Sequence, residues 1–74
     1  MKDIYLIKDL SNISGQSIHT IKYYLKIGLI KEFARSPDTR YRYFNDNVVS
    51  KLSLIRGMRK RGMSIREIKA EFGT

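Results

Sequence analysis

Arg35, Arg40 and Arg42 stand close together, and the last two alternate with Tyr41 and Tyr43. Guanidinium groups pair with phosphate oxygens through two parallel hydrogen bonds, so this is chemistry for gripping a polyanion. If the segment folds back on itself, Arg35 and Arg42 fall on facing arms, free to follow a phosphate backbone or enter a minor groove. One set of the alternating side chains then packs while the other faces out. A second constellation is Ser17, His19 and Thr20, followed by Lys22, Tyr23, Tyr24 and Lys26. Short polar residues at the start of a helix suit base edges, and longer cationic or phenolic ones suit phosphates. Tyr24 lies close to the apolar side of that helix, which gives it a packing role as well. The same pattern also fits an ordinary amphipathic helix solvated by its charges. The cluster Arg56, Arg59, Lys60 and Arg61 offers Arg59 and Arg61 as further contacts, but helix C-termini attract positive charge for local reasons too.

These residues sit in a chain of 74 with fifteen Lys and Arg against seven Asp and Glu, a formal charge of +8. So strong a field on so short a chain selects polyanionic partners. Catalysis has little to draw on. His19 is the single histidine, cysteine is absent, and the carboxylates are scattered among helix starts and solvated faces. No phosphate loop, metal-ligand spacing or cofactor motif appears, so the expectation is a non-enzymatic protein without metal or cofactor. The start of the chain mixes charged with apolar residues, unlike a signal peptide, and no apolar run could cross a bilayer. The expectation is a soluble, cytoplasmic protein.

The positioning elements follow from periodicity. After an extended start, Ile4-Tyr5-Leu6, apolar Ile7, Leu10 and Ile13 recur at helical spacing, and Gly15 ends the first helix. Ser17 caps a second, with Ile18, Ile21 and Leu25 as its stripe and Gly28 at its close. Two short helices joined by a glycine-containing turn make a helix-turn-helix. Between Ile30 and Phe44, aromatic residues flank the turn signal Ser36-Pro37-Asp38-Thr39, which reads as a β-hairpin. Asn45 caps a third helix with Val48, Leu52, Ile55 and Met58 inward, stopped by Gly62. Ser64-Ile65-Arg66-Glu67 is a capping box opening a fourth, with Ile65, Ile68 and Phe72 on one side. The fold class is mainly α: a winged helix-turn-helix of four helices with a small hairpin wing, forming one domain over residues 1–74.

These segments together resemble the DNA-binding domain of the MerR family of bacterial regulators. The resemblance runs through Ile7-Lys8-Asp9-Leu10-Ser11, Thr20-Ile21-Lys22-Tyr23-Tyr24, Gly28-Leu29-Ile30, Arg35 and Tyr41-Arg42-Tyr43-Phe44. Leu52, Ile55 and the run Met58 to Lys69 complete it. The wing, Ser36 to Tyr43, looks most like that of the multidrug-sensing members. The resemblance implies a dimer on a pseudo-palindromic promoter element, bending and untwisting a long spacer to realign the hexamers for RNA polymerase. It implies DNA contacts from Thr20, Lys22, Tyr23 and Tyr24 on the helix and from Arg35 and Arg42 on the wing. Lys22 departs from the arginine usual in the family, keeping the charge without the planar fork.

Family regulators continue into a dimerisation helix and an effector domain, whereas this sequence ends at Thr74. The reading is therefore the N-terminal domain of a larger regulator. One alternative is a stand-alone architectural DNA-binding protein similar to phage and plasmid excisionases. Another is a protein-interaction module with a basic surface.

Overall fold

The computed structural model describes residues 4–73, and the chain order is helix, helix, hairpin, helix, helix. Helix α1 spans Ile7–Ser14, α2 Ile18–Lys26, α3 Asp46–Lys60 and α4 Ile65–Glu71. The strands are short: β1 is Ala34–Arg35 and β2 is Arg42–Tyr43, paired antiparallel with Ala34 opposite Tyr43 and Arg35 opposite Arg42. The four-helix winged architecture expected from the sequence is the one the chain adopts.

Each helix begins where a side chain can satisfy an orphan backbone N–H. Asp9 Oδ2 accepts the Leu6 N–H at 2.9 Å, Ser17 Oγ accepts Thr20 N–H at 3.1 Å, and Asn45 Oδ1 accepts Val48 N–H at 3.3 Å. At α4 the exchange is reciprocal: Glu67 N–H donates to Ser64 Oγ at 3.1 Å and Ser64 N–H to Glu67 Oε1 at 2.9 Å. The turn after α1 needs a left-handed residue, and Gly15 supplies it at φ 72°, its N–H reaching the Ser11 carbonyl. That turn is then tied down from α3, where Gln16 Nε2 donates to the Leu52 carbonyl at 3.2 Å.

The core gathers one stripe from every helix. Leu10, Ile21, Phe44, Leu52, Ile55 and Ile68 are fully excluded from solvent, with Leu29 and Ile30 beside them. Two apolar residues expected on the buried stripes lie outside instead. Ile13 is 54% and Ile18 39% exposed, each lying at the α1–α2 corner on a side that the core does not cover. Tyr24 takes up the inward position on α2 at 5% exposure.

The wing grows from the core through Phe44. Tyr5 and Phe44 exchange two backbone hydrogen bonds of 2.8 Å, so Tyr5 is bridged antiparallel to the end of the hairpin's second arm. Tyr5 also donates its hydroxyl to Asp46 Oδ1 at 2.6 Å, joining wing base to the start of α3. At the wing tip, Ser36 N–H reaches the Tyr41 carbonyl and Arg40 N–H the Ser36 carbonyl, both at 2.9 Å. Closing that turn puts Arg40 at φ 61°, the one positive-φ residue other than glycine among the described residues. The alternation expected for the tyrosines holds only within the paired strands. Tyr43 is half-buried, whereas Tyr41, at the end of the turn, is 60% exposed.

Candidate nucleic-acid interface

Helix α2 turns its buried side to the core through Ile21 and Tyr24, which leaves His19, Lys22, Tyr23 and Lys26 exposed. Its N-terminal polar residues are partly committed. Ser17 Oγ accepts the Thr20 N–H and donates to Thr20 Oγ1 at 2.9 Å, so Thr20 keeps a hydroxyl proton for an outside acceptor. Tyr23 and Tyr24 touch as a tilted pair, ring centroids 6.1 Å apart. Tyr23 stands outward at 44% exposure, while the Tyr24 ring is part of the core. Burial pushes the Tyr24 phenol above its ordinary range, with the nearby Arg59 charge opposing that shift. Only the rim of Tyr24 is therefore open to a partner.

The wing lies next to α2, and two grooves separate them. One, about 350 Å³, is floored by Leu6, Ile7 and Tyr41 and rimmed by Lys8, Lys22, Arg40 and Arg42. The other, about 590 Å³, is lined by Lys22, Leu25, Lys26, Ile30, Lys31, Glu32 and Arg42. Lys22 and Arg42 belong to both, so they form the ridge between helix and wing. The structure thus brings Lys22, Lys26, Arg40, Tyr41 and Arg42 onto one cationic face. Such a surface, with cations spread over two elements, is suited to tracking a phosphate backbone on either side of a helix seated in a groove.

Within the wing, Arg35 and Arg42 face each other across the strands, as the sequence pattern requires. Between them sits Glu32. Arg35 gives it Nε at 2.9 Å and Nη2 at 3.1 Å, and Arg42 approaches with Nε at 3.4 Å. The Arg35 hydrogen bond, reinforced by the charges of Arg35 and Arg42, holds the Glu32 carboxyl below the usual carboxylate range.

The basic cluster after α3 divides. Arg59 lies beside the start of α2, sharing a small concavity with His19, Thr20, Tyr23, Tyr24 and Ile65. Its Nη1 donates to the Met63 carbonyl at 3.0 Å, which anchors the guanidinium in that position. Arg61 is the exposed C-cap of α3 and shares none of these grooves. Arg56 is spent on structure, Nη1 donating to the Ser14 carbonyl at 2.7 Å. Lys69 likewise donates to the Ile27 carbonyl at 2.8 Å.

Three residues of this face escaped the sequence reading: Lys8, Lys31 and Glu32. Lys8 is on the first helix, and only the tertiary fold brings it beside the wing. Glu32 carried one usable signal, being an acid three residues before a wing arginine. Among the described residues, no cluster of His, Cys, Asp and Glu could hold a metal ion, and no helix is long and apolar enough to cross a membrane.

Comparison with known proteins agrees with this geometry. Residues 5–72 match the model of the MerR HTH family regulatory proteins. The chain is 37% identical over 65 residues to the multidrug-efflux transporter 1 regulator of Bacillus subtilis, covering 88% of this chain and 23% of that one. It is 41% identical over 63 residues to the HTH-type transcriptional regulator HmrR of Sinorhizobium medicae, covering 85% and 42%. The chain thus spans less than half the length of these curated relatives. Among solved structures, a MerR-family transcriptional regulator from Bacillus cereus superposes with TM-score 0.87 at 21% identity, over 96% of this chain and 52% of that one. HiNmlR, a MerR family regulator lacking the sensor domain and bound to promoter DNA, superposes with TM-score 0.79 at 30% identity, over 90% and 50%.

Proposed function

Because the chain belongs to the MerR family of helix-turn-helix regulatory proteins, we propose that residues 1–74 act as a promoter-binding domain for double-stranded DNA. Residues 1–3 and 74 lie outside the described structure, and the role is assigned to the folded unit between them. The observation that carries the reading is the ridge of Lys22 and Arg42, which merges the exposed side of α2 and the wing into one cationic face.

In this reading the start of α2 enters the major groove, with Ser17, His19 and Thr20 nearest the base edges. Lys22, Tyr23 and Lys26 reach phosphates flanking the groove, together with the rim of Tyr24. The wing lies along the neighbouring backbone through Arg35, Arg40, Tyr41 and Arg42. Arg59 supports the start of α2 from the side away from the wing, and Arg61 meets the backbone farther out. Two copies occupy a pseudo-palindromic promoter element, as a homodimer formed by the whole protein or on the DNA. Distortion of the spacer between them changes how RNA polymerase meets the promoter, so part of the specificity comes from DNA deformability. The relatives named above are regulators of transcription or of efflux, which supports a cytoplasmic regulator rather than an enzyme.

Fluorescence anisotropy against a long-spacer promoter palindrome and a scrambled duplex, each at several salt concentrations, tests the proposal. Tighter binding to the palindrome, saturating at two chains per duplex and weakening steeply with salt, is expected. Equal salt-sensitive affinity for both duplexes would point instead to an architectural DNA-coating protein. Absence of binding to either at low salt would overturn the reading.

A further inference from the structure

The cationic face carries one carboxylate at its centre. In the groove between α2 and the wing, Lys22, Lys26, Lys31 and Arg42 surround Glu32. Its two oxygens serve both wing arginines: Oε2 and Oε1 take the Nε and Nη2 of Arg35, and Oε1 takes the Nε of Arg42. Arg35 and Arg42 remain 46% and 41% exposed at their side chains, against 28% for Glu32. The carboxylate therefore sits deeper than the two guanidinium groups that hold it.

This arrangement is the geometry in which arginine receives a phosphate, two oxygens against one guanidinium edge. It halves the charge the pair presents, since two arginines with one bound carboxylate carry a single net positive charge. Ion pairs this exposed are held weakly. A polyanion with many phosphates can take such arginines over.

We propose that Glu32 is an internal substitute for phosphate. It holds Arg35 and Arg42 together in the free protein and yields them to a backbone phosphate on docking. The affinity for nucleic acid is thereby set below what the wing arginines alone would give, which leaves more of the discrimination to α2. This inference rests on the DNA-binding reading.

The test is Glu32→Gln, which keeps the size of the side chain and removes its charge. Anisotropy with a mixed-sequence duplex over a series of salt concentrations should show the variant binding roughly tenfold tighter at low salt, because the wing arginines no longer have to leave a carboxylate before they meet phosphate. Its plot of log affinity against log salt should steepen by about one, as the docked face carries one more net positive charge without the carboxylate. Both gains should vanish when Arg35→Ala and Arg42→Ala are combined with it, and its melting temperature should match that of the parent chain. Equal or weaker binding by Glu32→Gln with an unchanged salt slope would overturn the proposal and leave Glu32 as a support for the arginines. If the unaltered chain itself fails to bind duplex, the DNA-binding reading falls first, and the inference with it.

Discussion

The guanidinium of Arg56 closes over the last carbonyl of α1, donating from Nη1 to Ser14 at 2.7 Å. One arginine of a basic cluster is thereby removed from any interface and made a fastener between α1 and α3. Arg56→Ala should cost about 1 kcal/mol of folding stability, the usual worth of such a bond when partly exposed. Urea titration checks the loss, and the salt slope of DNA binding should stay where it was.

Gly15 lies directly beneath that guanidinium. A Cβ there would meet Arg56 Nη1, and the backbone at φ 72° disfavours any side chain. Gly15→Ala should therefore destabilise by roughly 1–2 kcal/mol from the left-handed conformation, with further loss if Arg56 is pushed off its carbonyl. Combining it with Arg56→Ala should give less than the sum of the two losses, as measured in a double-mutant cycle.

Arg40 should give opposite signs for stability and binding. Its φ of 61° is uncommon for a residue with a Cβ, yet its side chain rims the groove that the wing forms with Lys22 of α2 and the start of α1. Arg40→Gly should leave the melting temperature unchanged or slightly higher, because relieved strain offsets the added freedom of the unfolded chain. The same change should weaken duplex binding and lower its salt slope by about one.

Lys22 and Arg42, as the shared ridge, should act together. Lys22→Ala and Arg42→Ala should each reduce affinity for specific and scrambled duplexes alike, with a salt slope lower by about one apiece. A loss confined to one DNA sequence would instead assign the residue a base contact.

Acid should loosen α4. Hydrogen bonds from Ser64, the backbone N–H foremost, hold the Glu67 carboxyl below the usual carboxylate range. A carboxyl depressed in the folded state contributes stability above its unfolded value and loses it as pH falls through the folded one. The melting temperature of the parent chain should thus fall on acidification by more than that of Glu67→Gln.

Much of the fold is written in local signals. Ser17, Asn45 and the pair Ser64–Glu67 mark helix starts by their own hydrogen-bonding capacity, and the facing of Arg35 and Arg42 follows from where the Ser36–Thr39 turn sits. Less legible was what depends on pairs far apart. Ile13 and Ile18 satisfy a helical period, but the corner between α1 and α2 carries them outside. Lys69 reads as a surface cation until the fold brings the Ile27 carbonyl to it. Glu32 reads as an isolated acid until the strands place Arg42 alongside Arg35. Charge by itself cannot tell a phosphate ligand from a helix cap, and that assignment depends on which carbonyl lies within reach.

Three of the side-chain clasps that fasten this domain have nearly the same reach along the chain: 41 residues from Tyr5 to Asp46, 42 from Ser14 to Arg56 and 42 from Ile27 to Lys69. Each joins the half before the wing tip to the half after it. During synthesis, α1 and α2 therefore leave the ribosome with their polar anchors and much of their apolar cover still untranslated. The nascent first half has little to close upon, and the domain forms as one late event once α3 and α4 emerge. A pause in translation before that point would leave an open pair of helices to chaperones, rather than a half-built reader of DNA.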